Sequence, residues 1–282
     1  MQGRLLAGKK VAEYYQQSIR KTLAELTSHR GTALPRLAIL RVGNDRSSGI
    51  YATSMVKVAQ GIGMAAVIYP QAEDVAEGVL LQVIEQLNRD KSIHGILLMM
   101  PLPAHLPTEK IIAAISPEKD IDGLTDTNIA NVLIGKPGYA PCTPMAVMAI
   151  LDYYDISVSG KELVIVGRSN VVGKPLTQLC LRRNATITNC HSYTKNLAEI
   201  VRRADILISA VGKAHIITAP MIKPGAVVID VGMNRLDGKT VGDVDYDRVV
   251  PLASAITPVP GGVGAVTTTM VVKSLLASYL SQ

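Results

Sequence analysis

Short aliphatic runs alternate with longer segments of helical periodicity along most of the chain. The aliphatic runs cover residues 36–43, 64–70, 93–103, 161–167, 185–190, 204–212, 225–232 and 254–260. The segments between them, such as 73–90 and 171–183, carry apolar residues at the spacing of an amphipathic helix. Strands that are apolar throughout and separated by helices are typical of parallel sheets buried on both faces. The pattern therefore predicts an α/β protein.

An irregular segment at residues 117–144 separates the aliphatic runs into two groups. We interpret the groups as two α/β domains that flank a cleft, the first covering residues 1–144 and the second residues 145–265. The apolar helical segment 266–282 is expected to pack back on the first domain and complete it. Residues 1–17 have the pattern of an amphipathic helix.

The composition is that of a folded protein, and the charge distribution bears on its ligands. Hydrophobic residues make up 48% of the chain and charged residues 18%, and no continuous apolar run reaches the ~18 residues of a membrane span. The start of the sequence lacks the features of a signal peptide, so we expect a cytoplasmic protein that binds no membrane. The net charge of +6 is spread along the chain, which favours an anionic small ligand over nucleic acid.

The cysteine and histidine residues point away from metal chemistry. Cys142, Cys180 and Cys190 form no C-x-x-C pair and are odd in number, so we expect reduced, buried thiols. The five histidines have no spacing of the H-x-x-x-H or H-E-x-x-H kind. The sequence therefore predicts no metal site.

Residues 164–175, VIVGRSNVVGKP, have the pattern of a strand that runs through a turn into a helix. Gly167 permits a tight turn, and Gly173 allows close approach at the helix start, where free backbone amides suit a phosphate. Arg168 and Ser169 lie between the two glycines. The spacing is G-x5-G rather than G-x-G-x-x-G, so an ordinary strand-to-helix turn is the alternative. The position of the turn directly after a buried strand favours a dinucleotide site.

The next strand indicates which dinucleotide would bind. An NAD site usually carries an Asp or Glu near the end of this strand, where it holds the ribose hydroxyls. Here the segment ATITNCHSYTK, residues 185–195, offers His191 and Ser192 and contains no carboxylate. Arg168 lies in the first turn, and Lys195 lies just beyond the second strand. Since a 2′-phosphate would meet hydroxyl groups and cations there, the pattern favours NADP over NAD.

Seven short segments, taken together, carry a resemblance to a known family. They are VGRSNVVGKP, ATITNCHSYT, KPGAVVIDVGMNR, GDVDY and ITPVPGGVGAVT, with KDIDGL and PCTP upstream. They resemble the methylenetetrahydrofolate dehydrogenase/methenyltetrahydrofolate cyclohydrolase family, from about residue 37 to the end. The resemblance implies two α/β domains, the second a Rossmann-type NADP-binding domain with a parallel sheet. It also implies a homodimer that acts on tetrahydrofolate one-carbon derivatives.

The resemblance implies a folate pocket in which two polar residues are missing. Tyr51 and Asp122 would line the pocket and act in catalysis. Family members carry a lysine four residues after that tyrosine and a glutamine in VQLPLP, but this chain has Met55 and Met99 at those positions. The loop that would close the pocket consists of Pro260, Gly261, Gly262, Val263 and Gly264.

By the same resemblance, residues of the second domain would bind the cofactor. The phosphates would lie against the glycine turn, the adenosine ribose near the end of the second strand, and the nicotinamide near a methionine. The residues concerned are Gly167, Arg168, Ser169, Gly173, His191, Ser192 and Met233.

Lys57 does not take the place of the missing lysine. Tyr51 and Met55 lie one helical turn apart and face the same way. Lys57 is two residues beyond Met55, about 200° further round the helix. It is therefore expected to point away from the pocket, and it matches a second lysine of the family pattern.

The two reactions of the family place different demands on the pocket. Hydride transfer from methylenetetrahydrofolate to a nicotinamide moves no proton to or from a side chain, so positioning supplies most of the catalysis. Hydrolysis of the methenyl product needs one group that handles protons and one that orients water. Methionine can do neither. We therefore expect an NADP-dependent methylenetetrahydrofolate dehydrogenase whose cyclohydrolase step is weak or absent.

Several alternatives stay open at this point. The two methionines could be core packing, with hydrolysis assigned to other groups such as Tyr51 and a bound water, which would leave a full bifunctional enzyme. The pocket could instead accept a different substrate, although Asp122 could still grip a pterin-like amidine. Asp122 could also be a helix cap. Finally, the chain could be a catalytically silent folate- or NADP-binding subunit, against which the intact glycine turn argues.

Overall fold

The computed structural model of the chain describes residues 3–30 and 34–282. These residues divide into two units. The first unit consists of Tyr14–Cys142 together with Thr268–Gln282. The second unit consists of the described residues up to Glu13 together with Thr143–Thr267.

Strands and helices alternate along the described residues. The strands are β1 (Arg4–Leu5), β2 (Arg36–Val42), β3 (Ala65–Gln71), β4 (Gly95–Leu98), β5 (Glu162–Val166), β6 (Thr186–Cys190), β7 (Ile206–Ser209), β8 (Val227–Asp230), β9 (Asn234–Leu236), β10 (Lys239–Val241) and β11 (Ala255–Ile256). The helices are α1 (Gly8–Arg30), α2 (Arg46–Ile62), α3 (Glu77–Arg89), α4 (Thr108–Ala113), α5 (Asp126–Ile134), α6 (Cys142–Tyr153), α7 (Gly173–Leu181), α8 (Leu197–Val201), α9 (Tyr246–Val249) and α10 (Val263–Ser281).

The first unit contains a parallel sheet with the strand order β3-β2-β4. One face of its central strand forms part of a buried apolar cluster that also includes helix α3. The members from these two elements include Ala38, Leu40, Val42, Leu80 and Ile84. Because the strands are parallel, their carboxyl ends meet at one edge of the sheet, which is where α/β units bind ligands.

The second unit contains a parallel sheet with the strand order β1-β11-β8-β7-β5-β6. The order reverses at β5, which has β6 on one side and β7 on the other. Such a switch point marks the ligand-binding crevice of a doubly wound sheet. A short antiparallel pair, β9 and β10, follows β8. The predicted fold class, two α/β units of which the second has a Rossmann-type parallel sheet, is confirmed.

Two strands end earlier than the sequence pattern predicts. The run at residues 93–103 forms a strand only over Gly95–Leu98, and the run at 254–260 only over Ala255–Ile256. Pro101 and Pro258 follow soon after these strands. Because proline has no amide hydrogen to donate to a neighbouring strand, an apolar run that contains it leaves the sheet.

The start of the chain also differs from its sequence pattern, which predicts one helix over residues 1–17. Arg4–Leu5 forms β1 ahead of α1 and pairs with β11. The Arg4 amide donates to the Ser254 carbonyl at 2.8 Å, and the Leu6 amide donates to the Ile256 carbonyl at 2.8 Å. These bonds explain why the residues up to Glu13 group with the second unit. A two-residue strand is too short for its alternation to be recognised in sequence.

Helix α10 is the most apolar long helix of the described chain. Its 19 residues have a mean hydropathy of 1.4 over an 18-residue window, which by length and composition alone would suffice to cross a membrane. However, 61% of that window is buried inside the protein, as in the core helix of a globular protein. Its last residues belong to the first unit, where the Ser278 hydroxyl donates to the Glu118 carbonyl at 2.8 Å.

Candidate functional site

Helix α2 carries the tyrosine and the first of the two methionines that the sequence singles out. Its buried face has apolar residues every three or four positions, as one side of a helix does: Ala52, Met55, Ala59 and Ile62. Tyr51 lies one turn before Met55 and is half-buried. The Met55 side chain is 0% exposed, so it packs as a core residue directly behind the tyrosine.

The surroundings of Tyr51 keep its phenol neutral. Burial is the main cause that raises the pKa of Tyr51 above its ordinary value, and the neighbouring acidic groups Cys142 and Asp122 raise it further. Lys57 is exposed, on the side of α2 away from Met55, as helical geometry predicts. The phenol of Tyr51 therefore stays protonated near neutral pH and acts as a hydrogen-bond donor.

Asp122 lies in a turn beside the start of helix α6. Its Oδ1 accepts a hydrogen bond from the Cys142 amide at 3.0 Å, so the carboxylate does cap a helix. Burial raises the pKa of Asp122 to about 6, against the lowering effect of the hydrogen bonds from Cys142. The cap uses Oδ1 and leaves Asp122 ionised at neutral pH, which is compatible with a ligand-binding role. Tyr51, Asp122 and Cys142 thus form one group in the first unit, which we call the Tyr51 cluster.

Two neighbours of Asp122 hold the turn on which it lies. Lys119 donates its ammonium hydrogens to three carbonyl groups of residues 87–90, at 3.1, 2.7 and 2.8 Å, where α3 ends. Asp120 is 2% exposed and accepts bonds from the Thr125 amide at 2.8 Å and hydroxyl at 2.7 Å. The segment KDIDG therefore contains one aspartate that is enclosed by donors from its own segment and a second that caps a helix farther along the chain. The sequence alone does not distinguish them.

Met99 lies at the carboxyl edge of the first sheet, directly after β4. Its amide donates to the Leu40 carbonyl of β2 at 2.9 Å, and its side chain is 7% exposed. Both methionines at the positions where the resemblance implies polar residues are therefore buried in the first unit. Their assignment to a ligand pocket remains a prediction.

The segment Pro260–Gly264 lies in the second unit, where β11 leads into α10. The Gly8 amide at the start of α1 donates to the Gly261 carbonyl at 2.8 Å. A Cβ on Gly8 would lie 2.0 Å from the Gly262 carbonyl oxygen, so the two segments pack without intervening side chains. Val263 is buried, whereas Gly264 is exposed. The role of this loop in closing a folate pocket remains a prediction.

The turn at residues 167–173 has the geometry of a phosphate cradle. Gly167 has a φ of +129°, a conformation that L side chains rarely adopt. A Cβ on Gly173 would lie 2.2 Å from the Gly167 carbonyl oxygen, so only glycine allows this close approach. The hydroxyl of Ser169 accepts a hydrogen bond from the Val172 amide at 3.1 Å and fixes the turn. We call residues 167–173 the cofactor turn.

The backbone amides of the cofactor turn are available to a ligand. Among the residues that the structure describes, none accepts a hydrogen bond from the amides of residues 168–171. These residues are exposed and lie just before α7. Unsatisfied amides at a helix start attract anions, and the helix dipole adds to that attraction. The cofactor turn therefore fits the phosphates of a dinucleotide.

The residues after β6 form a compact turn beside the cofactor turn. The His191 amide donates to the Thr194 hydroxyl at 2.8 Å, and the Tyr193 amide donates to His191 Nδ1 at 3.2 Å. The guanidinium of Arg168 lies 5.6 Å from the centroid of the Tyr193 ring, in cation–π contact. Ser192 is exposed. Sequence reasoning missed Tyr193, whose ring contacts Arg168 and whose amide donates to His191.

Two buried aspartates at the carboxyl edge of the second sheet were not predicted as site residues. Asp230 is 3% exposed and Asp243 is 0% exposed. The carboxylate of Asp230 accepts bonds from the amides of Gly232 at 2.9 Å, Asp243 at 3.0 Å and Val244 at 2.9 Å. Met233, the residue predicted to lie on the nicotinamide side, is 77% exposed in the loop between them.

Asp230 is expected to make a contribution to thermal stability that decreases as the pH rises from about 4 to about 7. Burial raises the pKa of Asp230 from 3.8 to about 6, so the folded state holds this proton at a pH where the unfolded state has lost it. The resulting stabilisation is complete below the unfolded pKa and is lost as the pH rises through the folded pKa, by on the order of 1–3 kcal/mol. Asp122 adds the same trend. Thermal melts across this range measure the effect.

Asp230→Asn provides the control for this pH dependence, because an amide resembles the protonated carboxyl. The melting temperature of the variant, measured relative to that of the unaltered protein at the same pH, should increase as the pH rises from about 4 to about 7, with the Asp122 contribution present in both proteins. A variant whose melting temperature follows the same slope as that of the unaltered protein would contradict the assignment to Asp230.

Two family descriptions together match almost the whole chain. Residues 6–122 match "Tetrahydrofolate dehydrogenase/cyclohydrolase, catalytic domain". Residues 141–282 match "Tetrahydrofolate dehydrogenase/cyclohydrolase, NAD(P)-binding domain". The Tyr51 cluster without Cys142 falls in the first match, and the cofactor turn falls in the second.

The chain is also similar over nearly its full length to individual proteins. It is 46% identical to the "Bifunctional protein FolD" of Geotalea daltonii over 276 residues, which cover 98% of each chain. The solved structure of the bifunctional FolD methylenetetrahydrofolate dehydrogenase/cyclohydrolase from Campylobacter jejuni has a TM-score of 0.95, 38% identity and 98% coverage of both chains. The Trypanosoma brucei enzyme, solved with NADP and an inhibitor, has a TM-score of 0.95 and 32% identity and covers 100% of this chain and 98% of its own.

Proposed function

Because the chain belongs to the tetrahydrofolate dehydrogenase/cyclohydrolase family, we propose that it oxidises methylenetetrahydrofolate to methenyltetrahydrofolate with NADP and hydrolyses the product weakly or not at all. The observation that carries the second half of this proposal is Met55. Its side chain is fully buried one turn behind the half-buried Tyr51, where the family pattern has a lysine.

The cofactor half of the proposal is supported by the second unit. NADP, when bound, supplies the hydride acceptor. The exposed amides of the cofactor turn would hold its phosphates, since Gly167 and Gly173 leave no side chain in the way. Arg168 and Ser192 would receive the 2′-phosphate, because residues 185–195 contain no carboxylate to repel it. The Trypanosoma brucei relative was solved with the same cofactor.

The folate half of the proposal is supported by the Tyr51 cluster. With a pKa of about 6, Asp122 is ionised at neutral pH and can bind the amidine edge of a pterin through two hydrogen bonds. The neutral phenol of Tyr51 can donate a hydrogen bond to the ligand. Hydride transfer requires no proton from either residue, so holding the ligand in the right orientation is sufficient.

Hydrolysis of the methenyl product would find little help in the same unit. It requires a side chain that accepts or donates protons and another that orients the attacking water. The thioether of methionine carries no proton and is only a weak acceptor. With Met55 and Met99 in these positions, the step loses the ~10²–10⁴-fold acceleration that a proton-transfer group typically provides.

A full bifunctional enzyme is the second candidate, and two observations favour it. Met55 is 0% exposed and packs as a core residue, as this candidate requires. The pKa of Asp122, raised to about 6, is close to the value that suits a general base at neutral pH. Tyr51 is unsuitable for that task, because burial and nearby negative charge keep its phenol protonated. A bifunctional enzyme would therefore use Asp122 rather than Tyr51 to activate water.

A catalytically silent binding subunit is the third candidate. The geometry of the cofactor turn counts against a silent subunit that binds no dinucleotide. A Cβ on Gly173 would lie 2.2 Å from the Gly167 carbonyl oxygen, and a turn this close, with exposed amides, suits a bound dinucleotide. A silent subunit that binds NADP is separated from the proposed enzyme by the assay alone.

One assay separates the three candidates. Purified protein is supplied with methylenetetrahydrofolate and NADP, and the absorbances of the reduced nicotinamide and of the methenyl compound are followed together. Methenyl compound that accumulates and decays only at the uncatalysed rate is the expected result. Decay accelerated by the protein would replace the proposal with the bifunctional candidate, and an absence of NADP reduction would replace it with the silent one.

The proposal includes a homodimer, as the family resemblance implies. Light scattering after size-exclusion chromatography should then give twice the chain mass of 30.0 kDa. A mass of one chain at micromolar concentration would contradict this part of the proposal without affecting the proposed reaction.

A further inference from the structure

The segment GDVDY, residues 242–246, has no part in the function proposed so far, yet its first aspartate is among the most buried charged groups of the second unit. The side chain of Asp243 is 0% exposed. Its carboxylate accepts hydrogen bonds from one hydroxyl, three backbone amides and one side-chain amide. The donors are Ser209 at 3.0 Å, Val211 at 2.7 Å, Gly212 at 3.3 Å, Lys213 at 2.9 Å and Asn234 at 3.1 Å. One carboxylate therefore ties the end of β7 and the loop after it to the start of β9, where the loop after β8 ends.

Asp230 and Asp243 each pack against a glycine, Gly242 and Gly232 respectively, so closely that no side chain fits between them. A Cβ on Gly232 would lie 2.1 Å from an Asp243 carboxylate oxygen, and a Cβ on Gly242 would lie 1.8 Å from an Asp230 carboxylate oxygen. The Asp243 carboxylate thus occupies the space that a side chain at position 232 would need, and the Asp230 carboxylate occupies the space that a side chain at position 242 would need. The Asp243 amide also donates to Asp230 at 3.0 Å. As a result, the loops that Asp243 holds have little freedom to rearrange while its carboxylate is in place.

The strands that these loops follow indicate which half of a dinucleotide the loops would face. The cofactor turn and the turn after β6 lie on one side of the switch point at β5, and the loops after β7 and β8 lie on the other. In doubly wound sheets the two halves of the sheet bind the two mononucleotide halves of the cofactor. Met233, which is 77% exposed, lies within the second of these loops. The loops held by Asp243 therefore belong to the nicotinamide half.

We propose that Asp243 is a positioning residue for the nicotinamide half of the cofactor: it holds the loops after β7 and β8 and does not contact the cofactor itself. The inference rests on the proposed dinucleotide-binding function. A carboxylate is required because its two oxygens offer about four acceptor sites, whereas an asparagine offers one acceptor oxygen and adds two donors. In Asp243→Asn, several of the five donors would lose their partner, and the loops would shift.

Calorimetric titrations with two probes test the proposal on the full-length protein. The first probe is NADP, and the second is adenosine 2′,5′-bisphosphate, which has the adenosine half of NADP and no nicotinamide. Asp243→Asn should bind NADP on the order of tenfold more weakly and should bind the bisphosphate as tightly as the unaltered protein does.

Asp205→Asn is the matched control. Asp205 accepts a hydrogen bond from the Glu162 amide at 3.0 Å and one from the Lys223 ammonium at 2.7 Å, at the amino edge of the same sheet. Its replacement also removes a carboxylate that accepts hydrogen bonds within the second unit, but it leaves the loops after β7 and β8 unchanged. Both probes should bind this variant with unchanged affinity.

Each other result has a definite meaning. If the unaltered protein binds neither NADP nor the bisphosphate, the proposed function is wrong. If the unaltered protein binds both and Asp243→Asn also binds both unchanged, or loses both equally, the positioning role is wrong. Should Asp243→Asn fail to fold, Asn234→Ala removes one of the five donors in a half-buried position. It should weaken NADP binding by roughly two- to threefold without affecting the bisphosphate, and unchanged NADP binding would overturn the proposal.

Discussion

The double variant Met55→Lys with Met99→Gln is expected to hydrolyse methenyltetrahydrofolate ~10²–10⁴ times faster than the unaltered protein. Position 55 is 0% exposed, and burial lowers the pKa of a lysine. A lysine there would therefore exchange protons near neutral pH, and the glutamine could orient water. The measurement is the decay of the methenyl absorbance in the absence of NADP.

Two further variants serve as controls for this gain. Met55→Leu keeps the position apolar at nearly the same volume, so it should hydrolyse no faster than the unaltered protein. Lys57→Gln removes an exposed amine on the other side of α2, so neither reaction should change. If the double variant folds and binds folate but gains no hydrolysis, the two methionines do not explain a weak cyclohydrolase step. The double variant should also melt at a lower temperature, since it places a charge in a fully buried position.

The variant Gly173→Ala is expected to bind NADP on the order of 100-fold more weakly than the unaltered protein. The added Cβ would lie 2.2 Å from the Gly167 carbonyl oxygen, 2.6 Å from its carbonyl carbon and 2.8 Å from Arg168 Cα. All three are backbone atoms of the cofactor turn, so relief of the overlap moves the amides that would hold the phosphates. Isothermal titration with NADP measures the loss.

Gly78→Ala is the matched glycine control. Gly78 lies in α3, and nothing comes within 4 Å of the Cβ that an alanine would add. Alanine favours a helix more than glycine does, so this variant should be at least as stable as the unaltered protein and should bind NADP equally well. NADP binding by Gly173→Ala as tight as that by Gly78→Ala would show that the turn does not hold the phosphates.

Local pattern was sufficient to predict the fold class and the family. Uninterrupted aliphatic runs such as ELVIV require cover on both faces, and helices between them provide it, so a parallel α/β arrangement follows from the sequence. Strand order does not follow, because it depends on which strands meet in space. The placement of β1 beside β11 illustrates this point, since two residues gain their strand identity only from a partner about 250 positions away.

The sequence singles out a site residue most readily where a short stretch of backbone demands one residue type. Gly167 has a φ of +129°, and a Cβ on Gly173 would meet the Gly167 carbonyl oxygen, so both requirements arise within one turn. Their contact with a cofactor remains a prediction. Asp243 was not singled out, because its hydrogen-bond donors come from residues 209–213 and from Asn234. Asp120 and Asp122 lie two residues apart in sequence but differ in their partners. Asp120 accepts hydrogen bonds from residues 124–128, whereas Asp122 accepts one from Cys142, 20 residues away.

Strand β1 also determines where the larger sheet stops. The outermost strand of any open sheet presents unpaired main-chain groups to which a strand from another molecule can add. Here the outermost strand on that side offers only Arg4 and Leu5, and its neighbour β11 is equally short. A strand from another molecule would therefore find few main-chain groups to pair with at this edge, so the brevity of both strands protects the larger sheet from self-association.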